Sequence, residues 1–366
     1  MPTFPLPNAS RLQTLVPGYY KISIAIARTN QKSQHLRSIQ YANMGSLEFK
    51  DLFTHDGTVY GDWRDEFHKN GCAVIKNVIS PERAAYYRQK QIEWLQSFGR
   101  GFDPNDESTW TQEHLPVNFK GSMYFAYSST HEKFVWEART EQGVIDVFSK
   151  LWGTDELLVS FDGMNIALPR QKDLKWSPWP HTDQSPERLG MQCVQGLLNY
   201  APNGDKDGGL ILMKGSSKLF NEFFQETRKQ ADHEDKPPEE ENFKDLFIFS
   251  EDDVQWFKDH GCEQVKINME PGDLVLWDSR TMHHACLPEG NQIRHVQYIC
   301  MTPKKFAKPE DIEMKVQLFK DWQGTTHWPH WPPLRDGKLD PQNRDRPLEP
   351  PEMTDRLLQL AGVKAY

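Results

Sequence analysis

The sequence predicts a mainly β fold with flanking helices, closed as a barrel or a double-sheet jelly roll. Three observations predict it. Six short apolar segments between 157 and 302 read as strands: LLVSFDGMNIAL, MQCVQGLLNYA, GGLILMKGS, EQVKINM, GDLVLWD and RHVQYICMT. Asn-Gly, Gly-Gly and Pro-Gly pairs, which signal turns, separate several of them. Two helical patterns lie upstream of this run, where they most simply cover a sheet. Many strands at such close spacing suit a barrel or jelly roll.

The elements follow in order. Residues 1–60 are mixed polar with scattered Pro and Gly and read as an N-terminal extension. GCAVIKNVI (71–79) is rich in β-branched residues and bounded by Asn-Gly, which predicts a strand. Ser80-Pro81 then offers an N-cap and a proline at the first helical position. The helix ERAAYYRQKQIEWLQSF runs to Gly99, a residue suited to a helix C-terminus. Val144, Val147, Phe148 and Leu151 fall at i, i+3, i+4 and i+7, and Gly153 closes that second helix. The strands complete a domain over 61–305. A charged Pro-Pro stretch near 226–245 interrupts it and reads as a solvated insertion. Residues 306–366 form a C-terminal extension containing WQGTTHWPHWPPL. The prolines of its Trp- and Pro-rich stretch 322–351 preclude long regular structure there. It is expected to pack on the core, and its aromatic surface is a candidate homodimer contact.

Composition narrows the function. The chain has 366 residues, 37% of them apolar, with a net charge of −9. No large basic block offers a footprint for a phosphate backbone, so nucleic acid is not the expected partner. No apolar run has the length of a membrane span, and the N-terminus lacks a secretory pattern. Five cysteines without a C-x-x-C spacing argue against a disulfide framework and for a reducing, cytoplasmic setting.

The chemistry lies in His, Asp and Arg. With 13 His and 52 acidic residues, roughly two H-x-[DE] matches arise by chance. The chain holds two, His181-Thr182-Asp183 and His233-Glu234-Asp235. The second sits in the charged insertion, a poor setting for a rigid metal site. The first precedes a strand, and in an extended chain residues i and i+2 share a face. His181 and Asp183 can therefore reach one ion, with Fe(II), Zn and Mn all suited to the pair. A third ligand can come from His283 or His284, at the end of PGDLVLWDSRTMHHACLP. Neighbours on a strand face opposite sides, so one of the two is expected to ligate. Arg294 opens the next strand, and an arginine there suits a carboxylate.

As a set, these residues resemble the phytanoyl-CoA dioxygenase family over roughly 62–305, closest to a branch common in fungi. The resemblance is carried by His181-Thr182-Asp183-Gln184-Ser185-Pro186, Gln195-Gly196, Asp207-Gly208-Gly209-Leu210 with Lys214-Gly215-Ser216, and Gly272 to His283 with Arg294. It implies a double-stranded β-helix with flanking helices. It implies Fe(II) on His181, Asp183 and His283, with Arg294 pairing the distal carboxylate of 2-oxoglutarate. The interval to Arg294 selects His283 over His284. By position it suggests Gln195 and Asn165 as further cosubstrate contacts. Ala285 departs from the family, where several relatives carry Ser, and leaves Arg294 one fewer hydroxyl neighbour. The implied reaction consumes dioxygen and 2-oxoglutarate, releases succinate and carbon dioxide, and oxidises a substrate. Related halogenases replace the carboxylate ligand, so Asp183 favours hydroxylation, desaturation or ring formation.

Substrate contacts are less specified. Tyr124, Tyr127 and His131 precede the strands and are candidates to line the mouth. Trp176 and Trp179 lie just before His181, and Arg170 is a candidate receptor for an anionic group. A small metabolite of secondary metabolism is the expected substrate, by family analogy. Two other readings remain at this stage. One is a Zn or Mn cupin-type enzyme on the same triad. The other is a non-catalytic binding protein that kept the fold.

Overall fold

The computed structural model describes residues 55–170, 174–186, 188, 190–227, 245–331 and 344–366. Most of the expected N-terminal extension, the rival motif at His233 and nearly all of the charged insertion lie outside the described residues.

The chain opens with α1 (Trp63–Asn70), β1 (Cys72–Ile75) and α2 (Pro81–Gln96). Next come β2 (Met123–Tyr124), α3 (Lys133–Arg139), α4 (Gln142–Trp152), β3 (Leu157–Val159) and β4 (Met164–Ala167). The central part holds β5 (His181–Thr182), β6 (Val194–Asn199), β7 (Gly209–Lys214), α5 (Ser216–Thr227), β8 (Phe247–Ile248) and α6 (Glu251–Asp259). It closes with β9 (Glu263–Lys266), β10 (Leu274–Asp278), β11 (His283–Cys286), β12 (Arg294–Tyr298), β13 (Met301–Pro303), α7 (Pro309–Lys320) and α8 (Asp355–Leu360).

The strands form a six-stranded sheet, β1-β10-β6-β12-β4-β2, and a five-stranded sheet, β8-β5-β11-β7-β9. Every pairing is antiparallel. The fold is a double-stranded β-helix, with helices outside both sheets. Period-two alternation sorts the side chains into three apolar layers. Between the sheets lie Cys72, Leu197, Val275, Trp277 and Val296, facing Leu210, Leu212 and Val265. On the far face of the six-stranded sheet, Ala73, Met164, Ile166, Leu198 and Leu276 pack under Tyr87, Leu95, Val144 and Phe148 of the helices. Behind the five-stranded sheet, Met213 and Met282 pack with Phe220, Phe223, Phe249 and Phe257.

Local chemistry sets the element ends. The Ser80 side chain accepts from the Arg83 amide, and Pro81 occupies the first turn of α2. In α4 the residues Val144, Val147, Phe148 and Leu151 are all buried, and Gly153 ends the helix in the left-handed region. The strand expected over 71–79 stops at Ile75, because Asn77 turns to φ 53°. Val78 and Ile79 then bond the Gly272 carbonyl instead of a ladder. The segments expected as single strands at 157–168 and 294–302 each break in two. Their outer halves leave the main sheet and pair with each other as β3 and β13.

The C-terminal segment runs back over the domain. Thr325 donates its amide to the Phe161 carbonyl, and its hydroxyl accepts from the Phe161 amide. Trp328 is 1% exposed, so this ring serves the chain's own packing rather than presenting a dimer contact. No helix among the described residues is long and apolar enough to cross a membrane.

Gly196 tests the packing of α4 on the sheet. A Cβ there would lie 2.3 Å from the Ile299 carbonyl oxygen and 3.0 Å from the Phe148 ring. Gly196→Ala should therefore lower stability by about 1–3 kcal/mol in urea denaturation, the usual cost of overpacking. An unchanged midpoint would refute this packing.

Candidate metal centre

His181 enters on β5 and His283 on β11, and the two are direct partners in the antiparallel register. That register places their ring centroids 4.2 Å apart. Asp183 follows β5, where its amide donates to the Ser279 carbonyl. Its Oδ2 lies 3.2 Å from His283 Nε2 and 3.7 Å from His181 Nε2. The three candidate ligand atoms all lie within 4.8 Å of one another. Both imidazoles are nearly enclosed.

The orientation of each ring is fixed from behind. His181 Nδ1 lies 2.9 Å from the Trp179 carbonyl, and His283 Nδ1 lies 2.9 Å from the Thr281 carbonyl. A carbonyl only accepts, so each Nδ1 carries a proton, and each ring turns its Nε2 toward Asp183. The Trp179 ring also stacks on His181 at 3.8 Å and 4°. Burial first, then the neighbouring His283, pushes the His181 imidazole down to about 3, so it stays neutral and ready to ligate. Burial acts to raise the Asp183 carboxyl. His181, His327 and His283 outweigh it and hold the carboxyl well below the usual carboxylate range. Two imidazoles and one carboxylate on one face suit Fe(II) with open positions.

His284 points the other way, as its neighbouring position requires. Its Nδ1 faces the Ala285 carbonyl and its Nε2 faces Gln264.

Arg294 opens β12 on the opposing sheet and is 4% exposed. Its Nε is buried and has no hydrogen-bond partner. Among the described residues it has no ion pair. Burial lowers its affinity for a proton, and Tyr298 is among the groups that counter this. Gly209 makes room for it: at φ 120°, a Cβ there would sit 3.2 Å from Arg294 Nε. A buried guanidinium with an unfilled donor calls for an anion, and a carboxylate meets it in two-pronged fashion. Nearby on the inner face, Asn165 donates from Nδ2 to the Ser122 and Tyr298 hydroxyls at 3.2 Å, while its Oδ1 is buried and unpartnered. These groups fit a polar cosubstrate.

Other expectations are revised. Gln195, expected by position to contact the cosubstrate, donates from Nε2 to Asp183 Oδ2 at 3.0 Å. It supports the ligand carboxylate directly. Tyr124, Tyr127 and His131 are not at the mouth. Strand alternation turns Met123, opposite Asn165, toward the inner face and Tyr124 toward the helices. There Tyr124 packs on Trp94, and Tyr127 packs on Phe98 with its hydroxyl accepting from the Val117 amide. His131 is wholly buried among Phe161, Phe319 and Trp322, and Trp136 Nε1 donates to its Nδ1. Arg170 is a surface residue paired with Glu107 at 2.9 Å and bonded to Asn291. Trp176 is half-buried and does not stack on the triad. Trp179 alone of the six substrate candidates touches a triad ring.

Two site residues escaped the sequence reading. Lys120 places its ammonium 2.9 Å from the centre of the Trp179 ring, and its charge and that of Asp183 interact. It lies four positions before Tyr124, and no motif marks it in the sequence. His327 acts on Asp183 from the C-terminal segment, 44 positions beyond His283 in a stretch whose composition signalled only an extension.

Comparison with known proteins is consistent with this geometry. The family model described as Phytanoyl-CoA dioxygenase matches residues 67–296. "Ava biosynthesis cluster protein O" of Aspergillus versicolor is 59% identical over 271 residues, covering 74% of this chain and 87% of that protein. A "Putative phytanoyl-CoA dioxygenase" of Dictyostelium discoideum is 25% identical over 277 residues, covering 65% and 74%. Among solved structures, the GlcNAc Inducible Gene 2 protein of Candida albicans superposes with a TM-score of 0.54 at 16% identity, over 82% of this chain and 76% of that one. That likeness is one of fold.

The doublet at 283–284 separates ligand from neighbour. His283→Ala should abolish Fe(II) retention under anaerobic conditions, while His284→Ala should retain the metal. Equal loss in both variants, with both folded by circular dichroism, would sink the assignment.

Proposed function

The chain belongs to the phytanoyl-CoA dioxygenase family, and from that premise we propose that it hydroxylates a small-molecule metabolite at Fe(II) held by His181, Asp183 and His283. It is a 2-oxoglutarate-dependent dioxygenase. The observation that carries the site assignment is the convergence of three ligand atoms within 4.8 Å, opposite a buried arginine whose Nε lacks a partner.

Bound Fe(II) and 2-oxoglutarate supply the oxidising chemistry, with dioxygen consumed and succinate and carbon dioxide released. The chain's residues bind, orient and shield. His181 and His283 turn their Nε2 atoms toward the metal position because carbonyls hold their Nδ1 atoms from behind. Asp183 stays ionised and is steadied by Gln195. Its presence favours hydroxylation over halogenation. Arg294 takes the distal carboxylate of 2-oxoglutarate, with Gly209 leaving the space and Tyr298 and Asn165 as polar neighbours. The apolar layer beside the site, including Leu197, Leu212 and Trp277, keeps water from it.

A substrate from secondary metabolism is supported by the Aspergillus relative, whose name refers to a biosynthesis cluster. The family match also supports 61–305 as the catalytic domain, with 1–60 and 306–366 as extensions.

The reading is tested with anaerobic protein loaded with Fe(II). Adding 2-oxoglutarate should produce a weak visible charge-transfer band, and a metabolite screen in air should find substrates that stimulate succinate release. Arg294→Lys keeps the charge but loses the fork, and should weaken 2-oxoglutarate binding roughly ten- to a hundred-fold. A wild-type protein that gives neither band nor succinate would refute the reading.

A further inference from the structure

The loop that carries Asp183 is tied to a part of the chain that the family match does not reach. Arg188, 5% exposed, lies five residues beyond Asp183. Its guanidinium grips Asp245 with both prongs, Nε to Oδ1 at 2.6 Å and Nη2 to Oδ2 at 2.8 Å. Asp245 Oδ1 also accepts from the Ser185 amide at 3.0 Å. One carboxylate thus holds the loop at two points, the first only two residues from Asp183. Arg188 Nη1 reaches Gln192 at 3.2 Å, on the approach to the strand that carries Gln195. The faces of the guanidinium are covered from the C-terminal segment, by Trp328 at 4.4 Å and Trp331 at 4.6 Å. Both tryptophans lie beyond residue 296, where the family match ends. The same segment bonds Cys193 Sγ through the His327 carbonyl.

We propose that Arg188 is a positioning residue for the iron site, and that through it the C-terminal segment at Trp328 and Trp331 sets how firmly Asp183 holds the metal. The proposal rests on the reading of His181, Asp183 and His283 as the iron ligands. The reason is mechanical. Asp183 follows a strand only two residues long, so little sheet structure fixes its backbone. Its amide bond to Ser279 holds one side, and the Arg188–Asp245 fork holds the other. A planar guanidinium is needed for this, because it pairs along its edge and stacks on its faces at once. Lysine cannot do both.

Anaerobic Fe(II) titration, well below the melting temperature of each variant, tests the idea. Arg188→Met should weaken Fe(II) binding roughly ten- to a hundred-fold, the range seen when supports of metal ligands are removed. Arg188→Lys should fall between Met and wild type. Trp331→Ala leaves the Arg188–Asp245 pair intact and strips one face of the stack, so it serves if Arg188→Met does not fold. It should weaken Fe(II) binding in the same direction. The visible band formed with 2-oxoglutarate should shift or weaken in these variants at saturating metal, which a loss of stability alone would not cause. Folded variants with Fe(II) affinity within about twofold of wild type, and an unaltered band, would overturn the proposal and leave the iron site standing. A wild-type protein that fails to bind Fe(II) would instead remove the reading beneath it.

Discussion

The site depends on one backbone register, that of β5 against β11. The strands are short, and they are joined by about one hundred residues of intervening chain. Opposed in register, they bring His181 and His283 face to face and leave Asp183 two residues away on the same side. A shift of one residue in β11 would turn His283 outward and His284 inward, and would reverse every neighbour with it. The register is held by apolar contacts on both faces of the sheet. Leu212, opposite His283 on β7, packs into the layer between the sheets. Met213 and Met282 pack into the layer behind. Ligand geometry is therefore a product of core packing.

The sequence made the fold class and the triad legible because both leave local signatures. Turn pairs and apolar runs mark strands, and the i, i+2 spacing of His181 and Asp183 marks a shared face. The choice of His283 over His284 came from the family's interval to Arg294. Alternation predicts that the two rings face opposite sides, and the register turns His283 toward Asp183 and His284 toward Gln264. What was not legible depends on contacts between distant segments. Tyr124 and Tyr127 were read as mouth residues because aromatic runs near a site often line it. The pairing of β2 with β4 decides the face, and no local pattern encodes that pairing. Position in the family suggests Gln195 as a cosubstrate contact but does not reveal its hydrogen bond to Asp183. His327, Trp328 and Trp331 arrive through a chain path over the domain that composition cannot trace.

The arrangement also has an energetic cost. Arg294 is 4% exposed, and taking a guanidinium out of water carries a desolvation penalty. Tyr298 offsets part of this, and Gly209 keeps the space open at the expense of backbone freedom. Local rules are broken here, as is usual where a site must be ready before its ligand arrives. The hydrophobic layers on either side of each sheet hold this region in place.

The two halves of the site stand on different sheets. The metal ligands come from the five-stranded sheet or its adjoining loop, while Arg294, Asn165, Gln195 and Tyr298 come from the six-stranded sheet. This division has a consequence for substitutions. A change on one wall reaches the other through the apolar layer and a few polar or close contacts: the Asp183 amide on the Ser279 carbonyl, Gly209 against Arg294, and Gln195 on Asp183. Gln195 makes the side-chain hydrogen bond among these, crossing from one wall to Asp183 on the other. A substitution at Gln195 therefore alters both the wall that carries Arg294 and the carboxylate of the triad.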